Sequence, residues 1–353
     1  MSVEAGIVRV PAARMEEFDT EAFCKVGMLP GDASLVAQSL VHADLTGVFT
    51  HGSNFLPLYT NWIQVGSIDP NATPEVVADN GATAVISARN AMGQVAGVEA
   101  MDLAIAKAKQ FGIGAVGVRE SNHFGAAAYY TLRAVDHDAI GFCSTNGIQV
   151  MAPYGGTTPS LSNTPIAYAI PAHEERPLML DMAVSVVAAG KVALAKRKGE
   201  SIPLDWALTD EGVPTTDPSI ATLMAPVGGP KGYGLAVVLD ALCGVLTGAL
   251  FGQDVRRGGI PNTPQAMGQM FMALDIGHMM PVDEFKQRMD AQIRQMRNSD
   301  KAKGFERVYL PGEIELERKE NFLRDGIAFA TEIVEDLDAM AEALGIPSLS
   351  ARL

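Results

Sequence analysis

Ser121-Asn122-His123-Phe124-Gly125 separates two stretches of opposite texture and constrains this chain more than any other segment. Ahead of it, Ile113-Gly114-Ala115-Val116-Gly117-Val118 is a short apolar run with β-branched residues, the pattern of a buried strand. Behind it, Ala126 to Val135 carries Ala, Tyr and Leu without a breaker and predicts a helix. A polar turn bearing Gly and His at such a junction suits a ligand site. The first amides of a helix lack internal partners and attract an anion such as a phosphate. The segment also reads as an ordinary turn with a capping Ser or Asn.

The flanking chain supports an α/β layer. Residues 12–47 read as helical with a turn at Leu29-Pro30-Gly31-Asp32, where Asp32 is a candidate cap. Thr50 to Asn54 interrupts, and Leu56 to Val65 resumes the helical pattern. Val76 to Ala88 offers two short strands around Asp79-Asn80-Gly81, and Gly93 to Phe111 is a strong helix. Ile140 to Thr145, Ile166 to Ile170, Leu178 to Leu180 and Met270 to Leu274 read as further strands, with helices at Val184–Lys198 and Asp283–Met296. Pro203 to Pro218 reads as a polar loop. Gly326 to Phe329 reads as a short strand, with Thr331 capping a last helix. Gly234 to Gly252 is almost wholly apolar, but Asp240 at its centre argues for a buried helix rather than a membrane span.

Composition narrows the function. With 353 residues, 48% of them apolar, the chain can bury a large core across two lobes. Its 27 basic and 41 acidic residues leave a net charge of −14, which argues against nucleic-acid or anionic-membrane partners. Cys24, Cys143 and Cys243 have no metal-ligand spacing, so no metal is expected, and they read as thiols of a reducing, cytoplasmic compartment. Met1 to Ile7 shows no leader pattern. No glycine fingerprint of a Rossmann site appears, and no P-loop, GxSxG or HExxH motif.

Two histidines, His51 and His123, lie in loop-like, Gly-flanked settings, where an imidazole can pass a proton to an atom that gains charge during reduction. Asp181 ends a strand-like run, placed either to orient a ligand or to cap the following helix. Lys231, amid glycines, can approach a phosphate or carboxylate, and Gly312 suits a tight turn.

Taken together, seven segments resemble the malate/L-lactate dehydrogenase family that lacks a Rossmann fold. They are A-D-L-T-G-V-F-T-H-G (43–52), S-N-H-F-G-A-A-A-Y-Y (121–130), A-P-Y-G-G (152–156), L-D-M-A-V-S (180–185) with A-A-G-K (188–191), G-V-P-T-T-D-P (212–218), G-P-K-G-Y-G-L (229–235) and Y-L-P-G-E (309–313), in family order. The resemblance implies a three-layer α/β/α core around a mixed sheet of about seven strands, a helical lobe from both chain ends, and a homodimer. The implied division is a helical lobe over 1–75 carrying His51, a cofactor-binding core over 76–281, and C-terminal helices over 282–353 that pack with the first lobe.

The same resemblance implies NAD- or NADP-dependent hydride transfer to a 2-oxo acid or from a 2-hydroxy acid, or reduction of a cyclic imino acid. His51 resembles the proton donor and Thr50 its hydroxyl neighbour; in some relatives the histidine at His123 takes the proton instead. His123, Phe124, Gly125, Ala126 and Ala127 resemble a cofactor-binding stretch. So do Thr145 and Asn146, the segment Asp181, Met182 and Ala183, and also Lys231 and the turn Pro311, Gly312 and Glu313. Two substrate-side positions depart from the pattern. Phe55 stands where the family commonly has an Arg that clamps the substrate carboxylate, and Ser162-Asn163-Thr164-Pro165 stands where it reads G-T-N-P. Such departures are compatible with an altered pocket, with another cation such as Lys231 or Arg119 in the clamp's place, or with a cofactor-binding relative that lost catalysis.

Overall fold

The computed structural model describes residues 6–353, so the reading of the first five residues falls outside it. The chain opens with β1 (Ile7–Val10), α1 (Ala12–Lys25) and α2 (Pro30–Leu45), then α3 (Leu56–Gln64). The hairpin β2 (Glu75–Asn80) and β3 (Thr83–Ser87) leads to α4 (Gly93–Phe111), β4 (Ile113–Ser121), α5 (Ala128–Val135) and β5 (Ala139–Thr145). Next come β6 (Ile166–Ile170), β7 (Leu178–Met182), α6 (Ala189–Lys198), the two-residue strands β8 (Ala207–Leu208), β9 (Pro214–Thr215) and β10 (Leu223–Met224), and α7 (Pro230–Asp240). The chain closes with β11 (Met267–Asp275), α8 (Val282–Arg297), α9 (Glu313–Asp325), β12 (Ile327–Ala330) and α10 (Thr331–Leu344).

Seven strands form the main sheet in the order β2-β3-β4-β11-β5-β6-β7, with β3 and β4 parallel and every other pair antiparallel. The late strand β11 therefore sits at the centre, between β4 and β5, unlike the all-parallel core of a dinucleotide fold. Helix α4 covers one face with Ala96, Ala100, Met101, Ala104 and Ala108, all buried against Val116, Val118 and Phe271. Small residues on α4 let the helix lie close: a Cβ at Gly114 of β4 would stand 2.0 Å from the Ala104 carbonyl. A second apolar cluster joins Phe18, Leu40, Tyr59 and Ile68 to Phe329, Val334 and Leu337, so both ends of the chain share one core. It is sealed by β1 pairing antiparallel with β12.

Several local expectations are corrected. Pro30 takes the first position of α2, so Asp32 lies inside the helix rather than capping it, and Thr331 is likewise the first residue of α10. Helix α5 starts at Ala128, two residues later than the pattern suggested, and α6 starts at Ala189 because Val184 to Ala188 is spent on contacts with the 225–227 segment. The 203–218 stretch contains β8 and β9, which form a three-stranded sheet with β10. The apolar 234–252 stretch is buried on one face only: α7 runs to Asp240 and a π-helical turn follows, with Ala236, Leu239 and Cys243 in the core while Leu235, Val238, Val245 and Leu246 face outward. Its central Asp240 accepts from Asn146 Nδ2 at 3.2 Å and Gly252 N–H at 3.0 Å. Among the described residues, no helix is long and apolar enough to cross a membrane.

Candidate active site

Two loops bring the histidines together. After α2 the chain makes two short 3₁₀ turns, Phe49–His51 and Ser53–Phe55, before α3 begins. Gly47 permits this exit, since its φ is +77° and a Cβ there would overlap Arg318 of α9. On the other side, the loop after β4 is pinned by Asn122, whose Nδ2 donates to Asn90 Oδ1 at 3.0 Å and to the Ala91 carbonyl at 2.8 Å. His123 N–H donates to Gln265 Oε1 at 2.9 Å. The imidazole rings of His51 and His123 then lie 5.5 Å apart.

Phe55 closes this pair: its ring is stacked on His123 at 5.0 Å and lies 6.0 Å from His51. The Phe-for-Arg departure thus places an apolar plate beside both imidazoles, where a clamp would have offered charge.

Hydrogen bonds and burial set the state of the His123 ring, and burial acts on His51. Gln94 Nε2 donates to the Tyr59 oxygen at 3.1 Å, and that hydroxyl lies 2.5 Å from His123 Nδ1. Tyr59 has one proton to give and His123 Nδ1 is the partner it reaches, which assigns Nδ1 as the acceptor and leaves the hydrogen on Nε2. Burial, then the neighbouring His51, lowers the His123 pKa to about 3. Burial also lowers the pKa of His51, whose Nδ1 lies 3.0 Å from Thr50 Oγ1. Both imidazoles are therefore neutral at pH 7.

Tyr59→Phe leaves Nδ1 of His123 without its donor, at a cost of about 1–3 kcal/mol. The expected result is a matching fall in stability by urea denaturation and ¹⁵N shifts showing a mixture of His123 tautomers. A single Nε2–H tautomer in the variant would remove Tyr59 from this role.

The segments expected on the cofactor side also meet. Asp181 Oδ2 accepts from Ala128 N–H at 2.8 Å, joining β7 to the 124–127 loop. Asp181 therefore caps α5, not the helix that follows it, and this carboxylate takes an amide at which an external anion was expected. Asp181 is exposed by surface area, yet enough protein surrounds its carboxyl for desolvation to raise its pKa to about 6. Met179 N–H donates to the Pro311 carbonyl, and Gly312 (φ +83°) presses so closely on Met179 that a Cβ would stand 2.6 Å from its carbonyl oxygen. Met182 and Ala183 follow on the same strand end, half-buried, while Lys231 is exposed in the first turn of α7 and forms no ion pair among the described residues.

Other candidates are committed elsewhere. The Glu313 carboxylate is buried, accepting from Leu310 N–H and pairing with Arg297 and Arg307. Asn146 is spent on Asp240, the Leu250 carbonyl and Gly268 N–H, and the Thr145 hydroxyl turns to the Gly268 carbonyl. The buried Thr164 hydroxyl pairs with Ser162 Oγ at 2.8 Å, while Asn163 is half-buried and its carbonyl accepts from Val184 N–H. Arg119 stands beside Gly248 and makes no ion pair among the described residues. Sequence reasoning missed Tyr59, Gln94 and Gln265. Tyr59 lies eight residues after His51 on α3, and only the fold shows that it meets His123.

The comparisons agree with this architecture. A malate dehydrogenase of Pyrococcus abyssi is 35% identical over 98% of each chain, and an L-sulfolactate dehydrogenase of Methanocaldococcus jannaschii is 38% identical over 91% of this chain and 93% of that one. The solved malate dehydrogenase of Pyrococcus horikoshii superposes with a TM-score of 0.90 at 33% identity, covering 99% of both chains. The family model described as malate/L-lactate dehydrogenase matches residues 10–338. The chain belongs to the malate/L-lactate dehydrogenase family and is a dehydrogenase of that kind.

Proposed function

We propose that this chain is an NAD- or NADP-dependent oxidoreductase acting between a 2-oxo acid and its 2-hydroxy acid, with His51 as the proton donor in reduction and acceptor in oxidation. The observation that carries this reading is the pair of neutral imidazoles 5.5 Å apart, joined by Phe55, at the meeting of two loops. His123 has its Nδ1 committed to Tyr59, whereas His51 is bonded only to the neighbouring hydroxyl of Thr50 and is freer to exchange a proton.

The residues present fit a nicotinamide cofactor. The 123–127, 181–183 and 311–312 segments adjoin, with a carboxylate at Asp181 for hydroxyl groups and an unpaired Lys231 for phosphate charge. When bound, the nicotinamide supplies or takes the hydride. The protein's part is to hold the acceptor carbon close, keep water out beside Phe55, and move one proton at His51. A nicotinamide absorbance assay over a panel of 2-oxo acids and cyclic imines tests the reaction, with fluorescence titration of NADH against NADPH for the cofactor. Turnover confined to cyclic imines would replace the oxo-acid reading with the imino-acid one. Tight cofactor binding without turnover would refute catalysis.

Phe55→Arg is expected to raise kcat/KM for small 2-oxo acids by about tenfold or more, because a guanidinium can pair with the carboxylate through two hydrogen bonds. Unchanged preference across the panel would show that Phe55 does not set the substrate class. The outward face of Leu235, Val238, Val245 and Leu246 belongs to the same proposal, as the contact of a cytoplasmic homodimer. Light scattering reporting a monomer would remove it.

A further inference from the structure

Behind the His51 loop lie two carboxyl groups that the reaction itself does not use. Asp19 of α1 and Asp44 of α2 are both fully buried, and no cation pairs with either among the described residues. Both converge on one hydroxyl: Ser53 Oγ is 2.8 Å from Asp19 Oδ2 and 2.6 Å from Asp44 Oδ2. Asp44 Oδ2 also accepts from Ser53 N–H at 2.9 Å.

Counting hydrogens settles their arrangement. A hydroxyl has one hydrogen to give, so it can donate to only one carboxylate. The second contact is a hydrogen bond only when that carboxyl carries a proton of its own. Asp44 already receives the Ser53 amide, which marks it as the acceptor, and Asp19 is left as the acid. We propose that Asp19 and Asp44 share one proton through Ser53, in the sense Asp19 O–H to Ser53 Oγ–H to the Asp44 carboxylate, and that this chain positions His51.

The geometry links the chain to the loop. Gly52 is pressed against Asp44 so closely that a Cβ would stand 1.8 Å from Oδ1, and Gly52 and Ser53 are the two residues that follow His51. Asp44 therefore acts through the backbone and touches no reacting atom; it is a positioning residue. The direction of each pKa agrees. Burial raises both, Asp44 to about 7 and Asp19 well above its ordinary value, with the Asp44 and Glu16 charges adding to the effect at Asp19. The charged groups facing the pair are thus each other and Glu16, one turn before Asp19 on α1.

The sign with pH follows. A carboxyl whose pKa is raised by folding contributes stability that is complete below its unfolded value near 4 and is lost as pH rises through its folded value. The pair should therefore weaken the fold, and loosen the His51 loop, as the Asp19 proton is lost towards alkaline pH.

The importance of the pair for turnover rests on His51 as the proton-transfer group, so the decisive readout is independent of activity. Infrared spectra of the whole protein at neutral pH are expected to show a protonated carboxyl C=O band that disappears in Asp19→Asn and persists in Asp44→Asn. Steady-state profiles from acid to alkaline pH form the second arm. Asp19→Asn keeps a neutral donor on Ser53, so it should keep most of kcat and lose the alkaline decline. Asp44→Asn exchanges the charged acceptor for a weaker neutral amide oxygen and sets an NH2 group against Gly52, and should lower kcat about tenfold with KM little changed, by misplacing the loop. Absence of the band, or its loss in Asp44→Asn alone, overturns the shared proton. The band without any asymmetry in kcat between the two variants overturns the positioning role. If Asp44→Asn does not fold, Ser53→Ala serves instead: the proposal predicts loss of the alkaline decline, and an unchanged profile overturns it.

Discussion

His51→Ala is expected to lower turnover by about 10²–10⁴, the usual worth of a positioned acid–base group. The loss should fall on kcat, with cofactor affinity unchanged, because the His51 ring touches Thr50, Phe55 and His123 and, among the described residues, makes no hydrogen bond to the 181–183 or 311–313 segments. His123→Ala is the contrasting variant: its loss should appear as weaker cofactor binding in a fluorescence titration. The wild-type pH profile carries the same information. Burial lowers the His51 pKa, so the free imidazole is a base at neutral pH, and oxidation should persist to more acidic pH than an ordinary imidazole would allow. Reduction needs the protonated ring and should rise as pH falls towards that lowered value. A profile identical in wild type and His51→Ala, or a loss below tenfold, would move the proton-transfer role to His123.

Gly52→Ala is expected to be nearly as damaging, by sterics alone. Gly52 has ordinary backbone angles, so no conformational strain is involved; the methyl would simply occupy the place of Asp44 Oδ1, 1.8 Å away. Asp44 cannot swing aside without losing both hydrogen bonds to Ser53. Overpacking of this kind costs about 1–3 kcal/mol, and displacement of the adjacent His51 by an ångström costs about a hundredfold in rate. Denaturant melts and steady-state assays read the two effects separately. Gly31→Ala is the control, since its Cβ meets nothing within 4 Å in the first turn of α2. Wild-type turnover in Gly52→Ala would show that the loop is more yielding than its packing implies.

What could be read from sequence divides by range. Helix α4 runs from Gly93 to Phe111 as its pattern indicates, because a long periodic stretch ends at Gly112, which takes the left-handed angles that suit a helix stop. The hairpin β2–β3 was equally legible, its turn chemistry being local. The central place of β11 was not, since it pairs with strands more than a hundred residues earlier and no local signal encodes such a partner. The same holds at the site. His51 and His123 were visible by residue type and glycine context, but the Tyr59 bond that fixes the His123 tautomer joins residues 64 apart. The apolar 234–252 stretch misled because composition reports what a segment avoids, not what covers it.

The pairing of β1 with β12 sets the order of events during synthesis. Ile7 waits for Ala330, and the core around Phe18 and Leu40 waits for Phe329 and Leu337. At about 5–20 residues per second, a ribosome needs roughly a quarter of a minute to a minute to supply those partners. Through that interval α1 and α2, with the His51 loop between α2 and α3, hold an unfinished apolar face. The first fifth of the chain is thus born early and completed last, which makes it the natural client of any chaperone that meets this protein.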